Sequence, residues 1–411
     1  MTTAWLRRPL LRFVLLYCVL YLAFGTTSPF LPAFLESRGL TAEQLGVIFA
    51  AATAMRLLAA PMTARLADRF GALRFALATC SVIGAVAALC YLPIAHFHVL
   101  LVVSLFQAAA LAPTTNLADA LALAASKAKT GKGFEYGWVR GAGSAAFIAG
   151  SVLAGVAISI FGLAAILWLQ AALLTGVPWA ARQVPAAAIP LDDAGQGEAR
   201  FGVMTLAKSR VFRRLVLIAA LVLGSHAMHD TFAIIRWRAA GISPWETSLL
   251  WSVAVAAEVI VFFFIGPRLV AYLTPPGSLA LAAASGAIRW GIAALSADVV
   301  AVALTQPLHG LTFALLHLAS MQLIAQVVPQ RLAATAQAVY GTLGVGAATA
   351  VLILISGWLY ARLGPQAFLC MSLLCLSALP LTVGLNRMII AAAQDRRGQG
   401  NQAASSAFLH R

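Results

Sequence analysis

Charge is what this sequence has least of. Asp, Glu, Lys and Arg make up 10% of its 411 residues, against 62% hydrophobic ones, and only 13 residues are acidic. That excludes a soluble globular domain, in which about a quarter of residues are charged. Cysteine is also sparse. Cys18, Cys80, Cys90, Cys370 and Cys375 form no C-x-x-C pair and no extracellular disulfide framework, and they read as small packing residues in or beside apolar stretches. No H-E-x-x-H, nucleophile elbow or pair of carboxylates on one helix occurs, so the chain is not expected to be an enzyme. Nothing in it asks for a metal or a cofactor.

What fills the chain is apolar sequence, with a mean hydropathy of +0.90. The apolar runs are continuous and do not alternate with period two, which favours membrane helices over a barrel. Twelve segments are predicted, at 10–34, 42–64, 75–93, 99–123, 137–160, 163–181, 213–235, 246–268, 277–296, 299–325, 334–360 and 366–389. The first is too long for a signal-peptide core and no small-residue cleavage site closes it, so it is expected to stay as a span.

The net charge is +15, but its distribution points to topology and not to nucleic acid. With the N-terminus inside, 21 of the 28 Lys and Arg residues fall on the cytoplasmic side. Arg38, Arg236, Arg238 and Arg362 fall on the other, and Arg56, Arg140 and Arg289 stay within spans. Both termini are therefore expected in the cytoplasm, in a bacterial-type inner membrane, with basic loops against anionic lipid headgroups. The layout divides into a six-helix bundle at 1–182, a polar linker at 183–212, a second six-helix bundle at 213–390 and a tail at 391–411. The tail's Gln, Ser and Ala content predicts disorder. Six spans, a linker and six more is the plan of a duplicated two-bundle transporter.

Ionisable residues inside spans carry the functional signal, because each costs about 2.5–3.5 kcal/mol at a helix centre. Glu258 and Arg289 both lie about twelve residues into their spans, or roughly 18 Å deep from opposite faces. His309, about ten residues into its span, reaches a similar level. Glu258 beside an arginine and an imidazole is a candidate proton acceptor, a static ion pair being the alternative. Asp119 and Arg140 form a second candidate pair, and Arg56 is a third buried cation. Three cations against two anions suit an anionic substrate such as a carboxylate.

His226, His229 and Asp230 share one helical face. With no fourth ligand in view, helix-to-helix hydrogen bonding or cavity lining is preferred there over a metal site. His317, two turns beyond His309, is a further lining candidate with Gln322 and Gln337. Trp138, Trp251, Trp290 and Tyr340 are candidates to stack on a ring-containing substrate, or else to pack and anchor.

The loop Arg65-Leu66-Ala67-Asp68-Arg69-Phe70-Gly71-Ala72-Leu73-Arg74 resembles the signature loop of the major facilitator superfamily, although Ala64 stands where the signature begins with Gly. Phe134-Glu135-Tyr136-Gly137 with Arg140, Leu117-Ala118-Asp119-Ala120-Leu121 and Ile288-Arg289-Trp290-Gly291 resemble the lactose permease and phenylpropionate permease branch. In the second half Gly224-Ser225-His226-Ala227, Leu250-Trp251-Ser252 with Glu258, Leu308-His309-Gly310, Leu316-His317-Leu318-Ala319 and Gln337-Ala338-Val339-Tyr340 are similar to the phenylpropionate permease group. The resemblance runs from about residue 15 to 385.

That resemblance implies an all-α integral membrane protein, with twelve transmembrane helices in two pseudo-symmetric six-helix bundles. It implies a monomer that takes up a small organic solute with H+ by alternating access, the solute being an aromatic carboxylate such as a phenylpropionate-like acid. Asp119 and Arg140 would contact substrate, as their counterparts do in lactose permeases, and Asp68, Arg69, Gly71 and Arg74 would gate. Thr312 stands where lactose permeases place a carboxylate after the span-ten histidine, so their full proton relay is not carried over. The alternatives are a sugar or nucleoside proton symporter, an exporter, or a non-transporting membrane solute sensor. The Gly-Pro signature of drug antiporters is missing from span five, and neither linker nor tail is long enough for a sensor's output domain.

Overall fold

The computed structural model describes residues 9–126, 134–185 and 203–389. The tail, most of the linker and the side chain of Asp68 lie outside the described residues. Among the described residues, nine continuous helical stretches are long and apolar enough to cross a membrane. Two of them, Pro244–Leu295 with 52 residues and Ala333–Thr382 with 50, far exceed the roughly 20 that one crossing takes. The first breaks at Thr274, whose φ of 63° precedes Pro275 and Pro276; proline forbids the preceding residue an ordinary helical conformation. The second breaks at Gly364, with φ 54°, before Pro365. With Ala165–Gln183 as a further helix, the twelve expected crossings are present.

Spans one to seven run over Pro9–Ser37, Ala42–Arg69, Leu73–Cys90, Phe97–Ser126, Tyr136–Phe161, Ala165–Gln183 and Arg210–Ala239. Spans eight to twelve run over 244–274, 275–295, Val299–Val327, 333–363 and Phe368–Thr382. Span seven continues four residues past its expected end, which moves Arg236 from a loop into the helix, where only 9% of it is exposed.

Spans one to six pack together, as do seven to twelve, giving two bundles. Glycine sets the closest approaches. Gly25 and Gly150 let spans one and five meet backbone to backbone, where a Cβ would strike Phe147 O or Leu22 O. Across the bundles, a Cβ on Gly357 of span eleven would lie 2.9 Å from the Gly46 Cα of span two. A Cβ on Gly155 of span five would lie 2.7 Å from the Ser248 Cβ of span eight.

The two cores do not coincide along the molecule. Phe30, Phe34, Leu45, Ile48, Ile158 and Ile166, all at the end away from the linker, join one continuous core with the second bundle. At the linker end Phe13, Leu16, Leu77, Leu121 and Val177 form a core of their own. The bundles are thus fused at one end and separate at the other. Two ion pairs cross the fused end, Glu36 to Arg238 at 3.6 Å and Glu43 to Arg362 at 3.8 Å.

Candidate functional site

Three π-helical segments occur among the described residues, and all lie in the second bundle. Val261–Ile265 starts three residues after Glu258, Gly310–Leu315 directly follows His309, and Tyr340–Ala347 opens on Tyr340. Such wide turns commonly mark functional stretches of membrane helices.

The second bundle's charges meet around Arg289, which is 1% exposed. Its Nη1 lies 3.0 Å from His309 Nδ1, and its Nη2 lies 3.4 Å from both His229 Nε2 and Gln306 Oε1. Its Cζ sits 4.6 Å from the ring centre of Trp290, whose indole donates to Ser225 Oγ at 2.7 Å. The other face of His309 places Nε2 3.6 Å from Glu258 Oε2. A guanidinium only donates, so His309 Nδ1 must accept and its proton sits on Nε2, facing Glu258. The expected trio of Glu258, Arg289 and His309 is therefore brought together, with the imidazole between the two charges.

The first bundle holds the second cluster. Asp119 on span four accepts hydrogen bonds from Tyr136 Oη at 2.7 Å and from Tyr17 Oη, and stands 3.8 Å from Arg140 on span five. Arg140 also donates to Tyr21 Oη, and its Cζ lies 5.3 Å from that ring. Gly143, one turn further on, leaves room for these rings, since a Cβ there would lie 3.2 Å from Tyr21 and 3.3 Å from Tyr17. The Arg140 side chain is 39% exposed and that of Asp119 27%. Arg140 is within electrostatic reach of Glu258 across the bundle interface, as is His317 from span ten. Charges this deep in spans yet open to solvent fit a polar cleft, since exposure to lipid is so costly.

The remaining expected residues scatter. His226 packs its ring 5.2 Å from both Trp290 and His309, and its Nε2 has no hydrogen-bond partner. His317 stands 6.1 Å from the Phe262 ring and 6.4 Å from that of buried Tyr340. π-helical turns run between His309 and His317, and both histidines lie within electrostatic reach of Glu258. Gln337 is exposed and joins neither cluster. Arg56 lines a separate cavity of about 30 Å³ with Tyr91, Ser104 and Gln107, and no ion pair links it to Asp119. In the loop after span two, Gly71 takes φ 59° and Arg69 leans on Phe70. Arg74 donates to Val184 O at 3.1 Å, placing a cation at the carbonyl end of span six.

Three partners were not foreseen: Gln306, which joins the foreseen His229 in the Arg289 shell, and Tyr17 and Tyr21 at the Asp119–Arg140 pair. Hydroxyl and amide groups in apolar helices carry little signal in a hydropathy reading. The carboxylate at Asp230 did carry one, as an ionisable residue within a span.

The chain matches the family model described as the MFS_1 like family over residues 10–370. It is 30% identical over 367 residues to the probable 3-phenylpropionic acid transporter of Escherichia coli (strain K12), covering 88% of this chain and 94% of that one. It is 25% identical over 362 residues to the maltose permease of Geobacillus stearothermophilus, covering 85% and 87%. The crystal structure of the nucleoside transporter NupG superposes with a TM-score of 0.80 at 15% identity, covering 93% of this chain and 99% of that one.

Proposed function

Because the chain belongs to the MFS_1 like family of major facilitator transporters, we propose that it imports a small organic acid together with a proton. As a member of that family it is a multi-pass membrane transporter and not an enzyme. The proposed solute is an aromatic carboxylate of the phenylpropionate kind, after the name of the Escherichia coli relative. Arg140, held by Tyr21 and Asp119 and open to solvent, is the proposed anchor for its carboxylate. A guanidinium can grip that group with two parallel hydrogen bonds.

The observation that carries the reading is the His309 bridge from Arg289 to Glu258 beside the cleft. Through it Glu258 is linked to the Arg289 cluster, while Arg140 and His317 act on it directly and its side chain is 31% exposed, as a group that binds and releases a proton needs. The proposed cycle is alternating access between the two bundles, bounded at 1–182 and 213–390. Both termini and the 183–212 linker are assigned to the cytoplasm of a bacterial inner membrane, from the bias of basic residues. On that assignment the fused end faces outward, so we read this conformation as inward-open and the working unit as a monomer. A sugar substrate is the second reading, favoured by the relative named as a maltose permease.

The test is uptake of labelled 3-phenylpropionate, maltose and uridine into proteoliposomes, with and without an imposed pH gradient. Accumulation of the aromatic acid driven by the gradient supports the proposal. Accumulation of maltose or uridine alone replaces the solute, and accumulation indifferent to the gradient removes the proton.

A further inference from the structure

Arg289 has a second side. Its Nη2 lies 3.4 Å from His229 Nε2, and the Nδ1 of that ring lies 3.3 Å from Asp230 Oδ1. The same donor logic applies as at His309: Arg289 fixes His229 with an accepting Nε2 and a proton on Nδ1, pointing at a carboxylate. One buried guanidinium therefore serves two imidazoles, and each imidazole presents an N–H to an acid. The side chains of Asp230 and Glu258 are 54% and 31% exposed, while the guanidinium between them is buried.

We propose that Asp230 is the second carboxylate of the coupling site and shares the counter-charge of Arg289 with Glu258. This rests on the reading of Glu258 as the proton carrier and says why that carrier can be neutralised. Arg140, which also reaches Glu258, is offset by its own partner Asp119; with both imidazoles neutral, the two carboxylates and one guanidinium that remain leave the cluster with one negative charge too many. A hydronium ion in the cleft gives its proton to a carboxylate oxygen of Glu258: one O–H bond of the hydronium breaks, one O–H bond forms on the carboxyl, neutral water is left behind, and the excess is removed. Arg289 keeps Asp230 as its partner throughout. Without Asp230, protonating Glu258 would strand a buried guanidinium with no counter-charge, the costliest arrangement for an interior ion. Asp230 is thus a positioning residue acting through His229 and Arg289.

The other charged or titratable groups facing the cluster are His226 on span seven, Cys375 on span twelve, His317 on span ten and Arg140 on span five. All four are shared by wild type and an Asp230 variant, so a difference between the two reports Asp230.

The experiment is an infrared titration of the purified full-length protein in lipid, following the C=O stretch of protonated carboxyl groups. The Glu258 band is assigned by its loss in Glu258→Gln. In Asp230→Asn its midpoint is expected to fall by about one to two pH units, the usual effect of leaving one opposite charge uncontested. Asp230→Glu is expected to return it to the wild-type position. Asp230→Ser, small and polar at a half-exposed position, gives the same reading should the amide variant fail to fold. A Glu258 midpoint that ignores Asp230 in these variants overturns the inference. A wild-type Glu258 that never titrates overturns the proton-carrier reading and takes this inference with it, so the two failures are distinguishable.

Discussion

Arg289 and Glu258 are joined by a single ring. His309 accepts from the arginine at 3.0 Å and turns its other nitrogen to the carboxylate at 3.6 Å. A ring in that position transmits the charge of Arg289 while keeping it from neutralising the acid outright. Replacing His309 by Phe breaks the link and leaves Arg289 short of an acceptor. Exchange of solute across proteoliposomes is expected to persist, while gradient-driven accumulation falls at least about tenfold, or about 1.4 kcal/mol of coupling. His309→Phe that accumulates like wild type would make the imidazole a packing group.

Removal of Arg289 itself should register first as stability. Arg289→Met leaves two carboxylates and two imidazoles around an apolar side chain, and loss of about 3 kcal/mol is expected, as for breaking a buried ion pair. Arg289→Lys keeps the charge but not the planar fork that reaches both rings, so it should fold better than Met and still couple poorly. Thermal unfolding in detergent, followed by uptake, separates the two effects.

At the other cluster, Arg140→Lys is expected to weaken solute binding about tenfold or more, since a point charge replaces a two-pronged donor. Arg140→Ala also strands Asp119, so its loss of binding has to be read beside its loss of stability. Equilibrium binding by scintillation proximity checks both. Wild-type affinity in Arg140→Lys would give Arg140 a structural role.

Much of this was legible in the sequence, and the misses have physical causes. Apolar run length placed all twelve crossings, because the bilayer sets that length whatever the tertiary structure. It placed Glu258, Arg289 and His309 at one level for the same reason. It put Arg236 in a loop, since two arginines two positions apart, Arg236 and Arg238, end an apolar run in the sequence whether or not the helix continues through them. The π-helical turns after Glu258 and His309 were not foreseen, because they leave no compositional trace. Backbone contacts such as Gly46 with Gly357 depend on both partners, and a single chain read in order shows each glycine alone.

That glycine contact brings the backbones of spans two and eleven together at the fused end. A Cβ on Gly357 would come within 2.7 Å of Ala42 O and 2.9 Å of Gly46 Cα, backbone atoms that cannot step aside. Gly357→Val is therefore expected to push spans two and eleven apart and populate the state open at that end. Glu43→Lys opposite Arg362 should act the same way more weakly, since an exposed pair contributes only about 0.2–1 kcal/mol. Pulsed electron-spin distances between labels at Arg38 and Ala240 should lengthen for both, and unchanged distances would relocate the gate.

Orientation is checked in a cysteine-free background. Lys208→Cys, exposed within the linker, is expected to react with an impermeant maleimide only in inverted vesicles, and Ala240→Cys only in intact cells. The reverse pattern would turn the molecule over and make the structure outward-open.

The most direct measurement compares Glu258→Gln with wild type in one proteoliposome preparation. The amide imitates the protonated carboxyl in shape and cannot release a proton. Equimolar exchange of labelled solute should continue near the wild-type rate, while accumulation under an imposed pH gradient should vanish. Asp119→Asn serves as the comparison from the other bundle. Undiminished accumulation in Glu258→Gln, with accumulation lost in Asp119→Asn, would contradict the role of Glu258 and move the proton to the first bundle.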